Sequence, residues 1–272
     1  MLLAVQPSLQ RAHGAGELVL SGRDGAAALA HLYQRDPCRI LFPRVDPGEL
    51  TTAIVANTAG GLAGGDRLAL DIALKDAARA VVTGQSAEKV YRSLGPATRL
   101  EVRLAVGDGG WLEYLPQETI LFDGARLERS TEIAVERGAR LMAGDVVVQG
   151  RTARGERFDR GLFDDRWVVR VGGRLVWADA LRLADDIPAL RAHPAGFGGA
   201  IAHATLLYVA ADAAECLAFV RDLVEESGTR GGATCIGPVL VARLLAEETA
   251  PLRRTMARLW SALRAEAAGL PA

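Results

Sequence analysis

Up to about residue 205 the chain is interrupted every few residues by Gly, Asp or Pro, and the pieces between the interruptions are short. The segments AVVT, WLEYL, TILF, DVVV, WVVRV and RLVWAD are bounded in this way, and no strand–helix–strand rhythm runs through them, which predicts a mainly β protein built as a sandwich or as stacked layers. Residues 67–74 set Leu68, Leu70, Ile72 and Leu74 on one side and Arg67 and Asp71 on the other. Residues 98–106 repeat this with Leu100, Val102, Leu104 and Val106 against Arg99, Glu101 and Arg103, and 126–135 do so with Leu127, Ile133 and Val135. Such alternation marks half-buried strands and leads to an expectation of antiparallel-rich sheets. Residues 16–21, 38–42 and 51–57 are also strand-like. Residues 24–35 (DGAAALAHLYQR) have the alanine content of a helix but run straight into Pro37, a weak helix signal.

Helix signals gather at the C-terminal end. Asp212 is placed to cap a helix near 212–227 with Cys216, Leu217, Val220, Leu223 and Val224 on one face and Gly228 closing it. Thr249 and Pro251 open a second near 249–266, where Leu252, Met256, Leu259, Trp260 and Leu263 share a face. With no repeat and no linker, residues 1–272 read as a single β-rich domain carrying a pair of C-terminal α-helices.

The formal charge of -1 gives no electrostatic footprint for nucleic acid or anionic lipid. Cys38, Cys216 and Cys235 are isolated, which points to buried thiols in a reducing compartment rather than a disulfide framework. The opening MLLAVQPSLQRAHG lacks a basic n-region, and no stretch approaches the roughly 20 apolar residues of a membrane span. The expectation is a soluble cytoplasmic protein.

Among motifs with chemistry, 57–66 (NTAGGLAGGD) packs four glycines and an acid between two strand-like runs. No Lys-Ser or Lys-Thr follows and the next element is a strand, so neither a phosphate loop nor a dinucleotide fingerprint fits. Asp66 is either a turn aspartate bonding nearby N–H groups or a carboxylate pointing into a polar cavity. Residues 83–93 (TGQSAEKVYRS) gather Thr83, Gln85, Ser86, Glu88, Lys89, Tyr91 and Arg92, either a functional network or a solvated loop. Glu113 and Glu118 are a pair of carboxylates that a hydrolase reading would need to oppose across a cleft. The four histidines are scattered without metal-cage spacing.

Four of these stretches, NTAGGLAGGD, TGQSAEKVYRS, LEYLPQETILFDGA and GRTARGE, taken in order and spacing, resemble the urease accessory protein UreD family, also called UreH. The resemblance extends over nearly the whole chain and places β structure at 24–35. It implies a non-enzymatic maturation factor that binds apo-urease and a complex of UreF with the GTPase UreG, and that carries nickel along an internal water-filled passage without holding any cofactor tightly. Carboxylates, hydroxyls and water release nickel sooner than thiolate and imidazole, so a conduit should be lined with oxygen donors. Asp66, Thr83, Ser86, Glu88, Asp145 and Asp179 are the candidates for that lining. Asp145 departs from the family pattern, which more often has Glu in a Trp-Glu pair near this point. The other readings are a structural adaptor without metal contact and a carboxylate-based hydrolase. A partner-binding role also leads to an expectation of an exposed apolar patch on the C-terminal helical region.

Overall fold

The computed structural model describes residues 10–23, 26–46 and 48–270. Residues 1–9 of the opening stretch, residues 24–25, Pro47, and Pro271 and Ala272 lie outside it. The chain begins with one hairpin in each of two sheets: β1 (His13–Arg23) with β2 (Ala26–Arg35), then β3 (Cys38–Leu41) with β4 (Thr51–Asn57). It then crosses back and forth. β5 (Arg67–Lys75) joins the first sheet and β6 (Arg79–Gly84) the second, and the short β7 (Glu88–Val90) pairs off the main path of that second sheet. β8 (Thr98–Val106) returns to the first sheet, and β9 (Trp111–Leu115) and the short β10 (Thr119–Leu121) to the second. β11 (Arg126–Val135), β12 (Arg140–Gln149) and β13 (Leu162–Val171) continue the alternation. β14 (Arg174–Leu183) ends the first sheet, and α1 (Ile187–Ala192), β15 (Ala202–Val209), α2 (Leu217–Glu226), β16 (Arg230–Ile236), β17 (Val239–Ala246) and α3 (Thr249–Ala268) complete the chain. Among the described residues this gives a seven-stranded and a ten-stranded sheet.

The mainly β expectation holds, but antiparallel-rich sheets do not. β1, β5, β8, β11 and β13 run parallel to their neighbours, as do β4, β6, β9 and β12. Antiparallel pairs sit at the sheet margins, as β1–β2, β13–β14, β3–β4 and the β12–β15–β17–β16 run. Alternation along a strand reports which face is buried, not the direction of its partner. A parallel pair does need a long crossover. Here the crossover runs through a strand of the opposite sheet, giving a solenoid-like winding with no α-helix between parallel neighbours among the described residues; a 3-10 turn at Thr152–Arg154 is the one helical piece in these connections.

Burial explains both kinds of segment. The first sheet has one face on the core and one toward solvent, so β5, β8 and β11 alternate. Leu18, Leu70, Ile72, Val102, Leu104, Ile133 and Trp167 from that sheet meet Ala53, Val82, Leu112, Leu141 and Leu207 from the second. The second sheet is covered again on its outer face, where Met142, Tyr208 and Leu244 pack on Val220 and Val224 of α2 and on Leu252, Met256, Leu259 and Leu263 of α3. β12 is therefore buried along almost its whole length and shows no alternation.

Residues 26–35 are strand, in register with β1 from Arg23↔Ala26 to Ala15↔Arg35, so the helix signal there is overturned. A segment this short gains more from pairing than from its weak helix propensity. The first C-terminal helix begins at Leu217, later than residue 212. Asp212 does not cap it; its carboxylate accepts the Tyr208 hydroxyl at 2.7 Å and pairs with Arg140 at 3.0 Å. Gly228 follows that helix at φ +65°, as its closing role requires. No exposed large apolar side chain lies on α2 or α3 among the described residues. Leu29, Tyr33, Leu41, Phe42 and Val45, along β2, β3 and the following segment, are exposed instead, so the expected patch on the helices is not there. No helix among the described residues is long and apolar enough to cross a membrane.

Glu113 fastens α3 to the second sheet. Its carboxylate accepts the indole N–H groups of Trp111 and Trp260, each at 2.8 Å, and lies 3.2 Å from Arg264 Nε, with only 1% of the residue exposed. Glu113→Ala leaves two buried indole donors without their acceptor and removes the charge beside Arg264, whose Nη2 keeps Glu49 at 2.8 Å, and is expected to lower stability by about 3 kcal/mol. Urea unfolding followed by tryptophan fluorescence checks this, because Trp111 and Trp260 are themselves reporters of the contact.

Candidate functional site

At one end of the gap between the sheets the apolar filling gives way to a cavity of about 250 Å³. Its wall includes Cys38, Asn57, Thr83, Ser86, Glu88, Tyr114, Thr119, Arg129, Thr131, Asp145 and Trp167. Gly60 and Gly61 of the glycine segment also border it. That segment carries the chain from β4 in one sheet to β5 in the other. Gly61 adopts φ +151°, and a Cβ there would lie 2.6 Å from the Tyr91 ring and 2.8 Å from the Lys89 carbonyl oxygen, so only glycine lets the loop lie against residues 89–91. Leu62 N–H donates to the Lys89 carbonyl at 2.7 Å, and Tyr91 N–H donates to the Leu62 carbonyl at 2.8 Å.

Near the cavity's solvent side, Ser86 is exposed and Glu88 is half-buried. Asn57 Nδ2 donates to both Glu88 carboxylate oxygens, at 3.0 and 3.2 Å. Burial pushes the Glu88 carboxyl up to about 7, with the Asn57 hydrogen bond and the Lys89 N–H and charge only partly opposing it. Thr83 Oγ1 donates to the Leu115 carbonyl at 2.7 Å.

The interior end is ionic. Arg129 donates from Nε to Asp165 Oδ1 at 2.8 Å, from Nη2 to Asp165 Oδ2 at 2.7 Å, from Nη1 to Thr119 Oγ1 at 3.3 Å, and from Nη2 to Asp145 Oδ2. Trp167 Nε1 gives Asp165 Oδ2 a further hydrogen bond at 3.0 Å. All three charged groups are buried. Asp145 Oδ1 is buried with no hydrogen-bond partner among the described residues. Burial opposes ionisation of both carboxyls. At Asp165 the Arg129 charge, its hydrogen bond and the indole override burial and leave the carboxyl below its usual range. At Asp145 burial wins over Arg129 and the carboxyl is raised. Beyond this cluster, burial lowers His203 to about 4, so its imidazole is neutral near pH 7, between the Phe163 and Phe197 rings.

The chain's sequence matches the family model described as UreD urease accessory protein over residues 12–272. This chain belongs to the UreD family. A relative from Magnetococcus marinus named urease accessory protein UreD is 40% identical over 262 residues, 94% of this chain and 91% of the relative. One from Brucella abortus, named urease accessory protein UreD 1, is 42% identical over 265 residues, 97% and 94% of the two chains. A third from Rhodopseudomonas palustris, also named urease accessory protein UreD, is 42% identical over 246 residues, 90% and 88%. Membership of the family assigns this chain to urease maturation.

Of the six residues expected to line a passage, the fold places Thr83, Ser86, Glu88 and Asp145 on one cavity and two elsewhere. Asp66 is buried in the loop it closes, with Oδ1 accepting Ala12 N–H at 2.9 Å and Oδ2 accepting Ala63 N–H at 2.7 Å, which is the turn-aspartate reading. Asp179 on β14 is paired with Arg243 at 2.7 Å. Glu113 and Glu118 do not face each other across the cavity: the first holds α3, and the second pairs with Arg253. Among the described residues no three His, Cys, Asp or Glu side chains are grouped to hold a metal ion. Arg129 and Asp165 escaped the sequence reading, although a signal exists. Arg129 falls on the inward face of β11 with Leu127, Thr131, Ile133 and Val135, and Asp165 on that of β13 with Phe163, Trp167 and Val169. A charge on an otherwise apolar face is the cue.

The Glu88 environment makes stability depend on pH. A carboxyl raised from 4.5 to about 7 binds more protons folded than unfolded, so stability falls as pH rises through that window. Glu88→Gln is expected to flatten this fall and, at pH 8, to exceed the parent by on the order of 2 kcal/mol. Urea midpoints of both proteins at pH 4.5, 5.5 and 8 check the sign.

Proposed function

We propose that this chain works as a non-catalytic scaffold in the cytoplasm, binding apo-urease and a UreF–UreG complex as one domain, and that nickel passes through its internal cavity as cargo. The observation that carries the reading is Asp145, whose buried Oδ1 has no hydrogen-bond partner among the described residues and which shares a cavity with Thr83, Ser86 and Glu88. These are oxygen donors, suited to brief contacts with a divalent ion rather than to storage. Asp66 and Asp179 then serve the frame rather than the route, since the first has its oxygens on backbone N–H groups and the second is ion-paired. The exposed apolar side chains on β2 and β3 are the place to seek a partner contact.

The test is co-expression with urease and the other accessory proteins, with Asp145→Asn beside Asp66→Ala. Asp145→Asn is expected to leave the complex intact and to reduce urease nickel content and ureolysis at least about fivefold. Asp66→Ala, which frees two backbone donors, is expected to lower the thermal midpoint of the chain while the folded fraction still loads nickel. Normal loading with Asp145→Asn would leave the adaptor reading in its place.

A further inference from the structure

The ionic end of the cavity has an asymmetry that the route reading does not use. Asp165 holds the Arg129 guanidinium through two of its nitrogens, at 2.8 and 2.7 Å, and is itself held by Trp167. Asp145 has one oxygen on the same Nη2; its Oδ1 has no hydrogen-bond partner among the described residues, and the Val146 backbone N–H acts on the carboxyl more weakly than Arg129 does. A single guanidinium nitrogen thus sits between two carboxylates, one firmly committed and one not. The Arg129 guanidinium carbon is also 5.6 Å from the Phe163 ring centroid, a cation–π contact that helps keep it there.

We propose that Arg129 is the exchangeable counter-ion of Asp145: a divalent cation takes Asp145 by breaking only its contact with Nη2, while the fork to Asp165 keeps the guanidinium beside the incoming ion. This rests on the reading of the cavity as a cation route. The retained positive charge then lies next to the bound cation and opposes it, so Arg129 sets the affinity of the site low. Without that charge, two buried carboxylates face one another with no counter-ion, and a divalent ion is the group that satisfies both. Arg129 is in this sense a positioning and affinity-setting residue, not a ligand.

The experiment measures Ni²⁺ affinity directly on the purified full chain, by calorimetry and by metal content after gel filtration, with Co²⁺ as a second probe. Arg129→Gln is expected to bind at least about 100-fold more tightly than the parent, to retain close to one metal ion per chain, and to gain thermal midpoint when metal is added. Arg129→Lys, which keeps the charge, is expected to stay within about threefold of the parent. The double variant Arg129→Gln/Asp145→Asn should lose the gain. Equal affinity in the parent and Arg129→Gln, or metal retained in the double variant, overturns the inference. If Arg129→Gln does not fold alone, refolding in Ni²⁺ is expected to recover it, and no recovery at millimolar metal overturns the inference too. Urease loading separates the two readings. Tight binding by Arg129→Gln alongside normal loading removes the route and leaves the affinity role standing, whereas unchanged affinity removes the affinity role whatever Asp145→Asn does to loading.

Discussion

Arg129 ties the two sheets together where their apolar filling stops. It stands on β11 in the first sheet, directly opposite Asp165 of β13 in the register, and reaches across to Asp145 on β12 in the second sheet. Removing charges from water is expensive, and an ion cluster between two sheets is tolerated only when its lone pairs and protons find partners. Asp165 and Arg129 find theirs within the cluster; Asp145 finds half. The cavity follows from this constraint. Side chains of β4, β6 and β9 pack together farther along the gap, but against the ionic end they leave polar groups, Thr83, Thr119 and Thr131 among them, on the wall.

The fold was legible in proportion to how one-sided the burial is. β5, β8 and β11 could be read residue by residue because one face is wet. β12, dry on both faces, read only as the apolar run DVVV, and the largely buried β15 and β17 gave no alternation to read. The C-terminal helix was read to within two residues of its end because its stripe and Pro251 are local signals. Strand direction was not legible at all, since it depends on which sheet each successive strand joins. The site divides in the same way. Glu88 and Asp145 could be singled out as acids next to apolar runs, but Arg129 belongs to the site only through partners 16 and 36 residues away in sequence.

The glycine segment does geometric work, and Asp66 is part of that geometry. Both its oxygens are taken by backbone N–H groups, one from Ala12 before β1 and one from Ala63 inside the loop, and Thr98 Oγ1 holds the Ala63 carbonyl at 2.8 Å. The loop is thereby anchored to the starts of β1 and β8 while its glycines lie against residues 89–93. This positions Asn57 at one end of the loop to clamp Glu88 on the neighbouring segment. An acid that closes a glycine run and an acid that lines a cavity look alike in a sequence; what tells them apart is whether the backbone has already claimed the carboxylate.

The donor set on the cavity wall argues for transit over storage. Cys38 is the soft donor there, and burial is the main reason its thiol is raised above 9, with Glu88 adding to burial and Arg39 opposing it. The thiolate is the form that binds metal, so a buried neutral thiol does not act as a tight ligand at pH 7. His203 is neutral and ligand-competent, but it stands among Phe163 and Phe197 and is not part of the cavity wall. Glu88 must give up a proton when it takes a cation near neutral pH, which weakens its hold further. With thiolate and imidazole out of play, the remaining donors are oxygens: the hydroxyls of Thr83 and Ser86, a carboxyl with a competing proton at Glu88, and one with a competing guanidinium at Asp145. On the proposed cation route such a wall offers no deep well, which favours transit over storage.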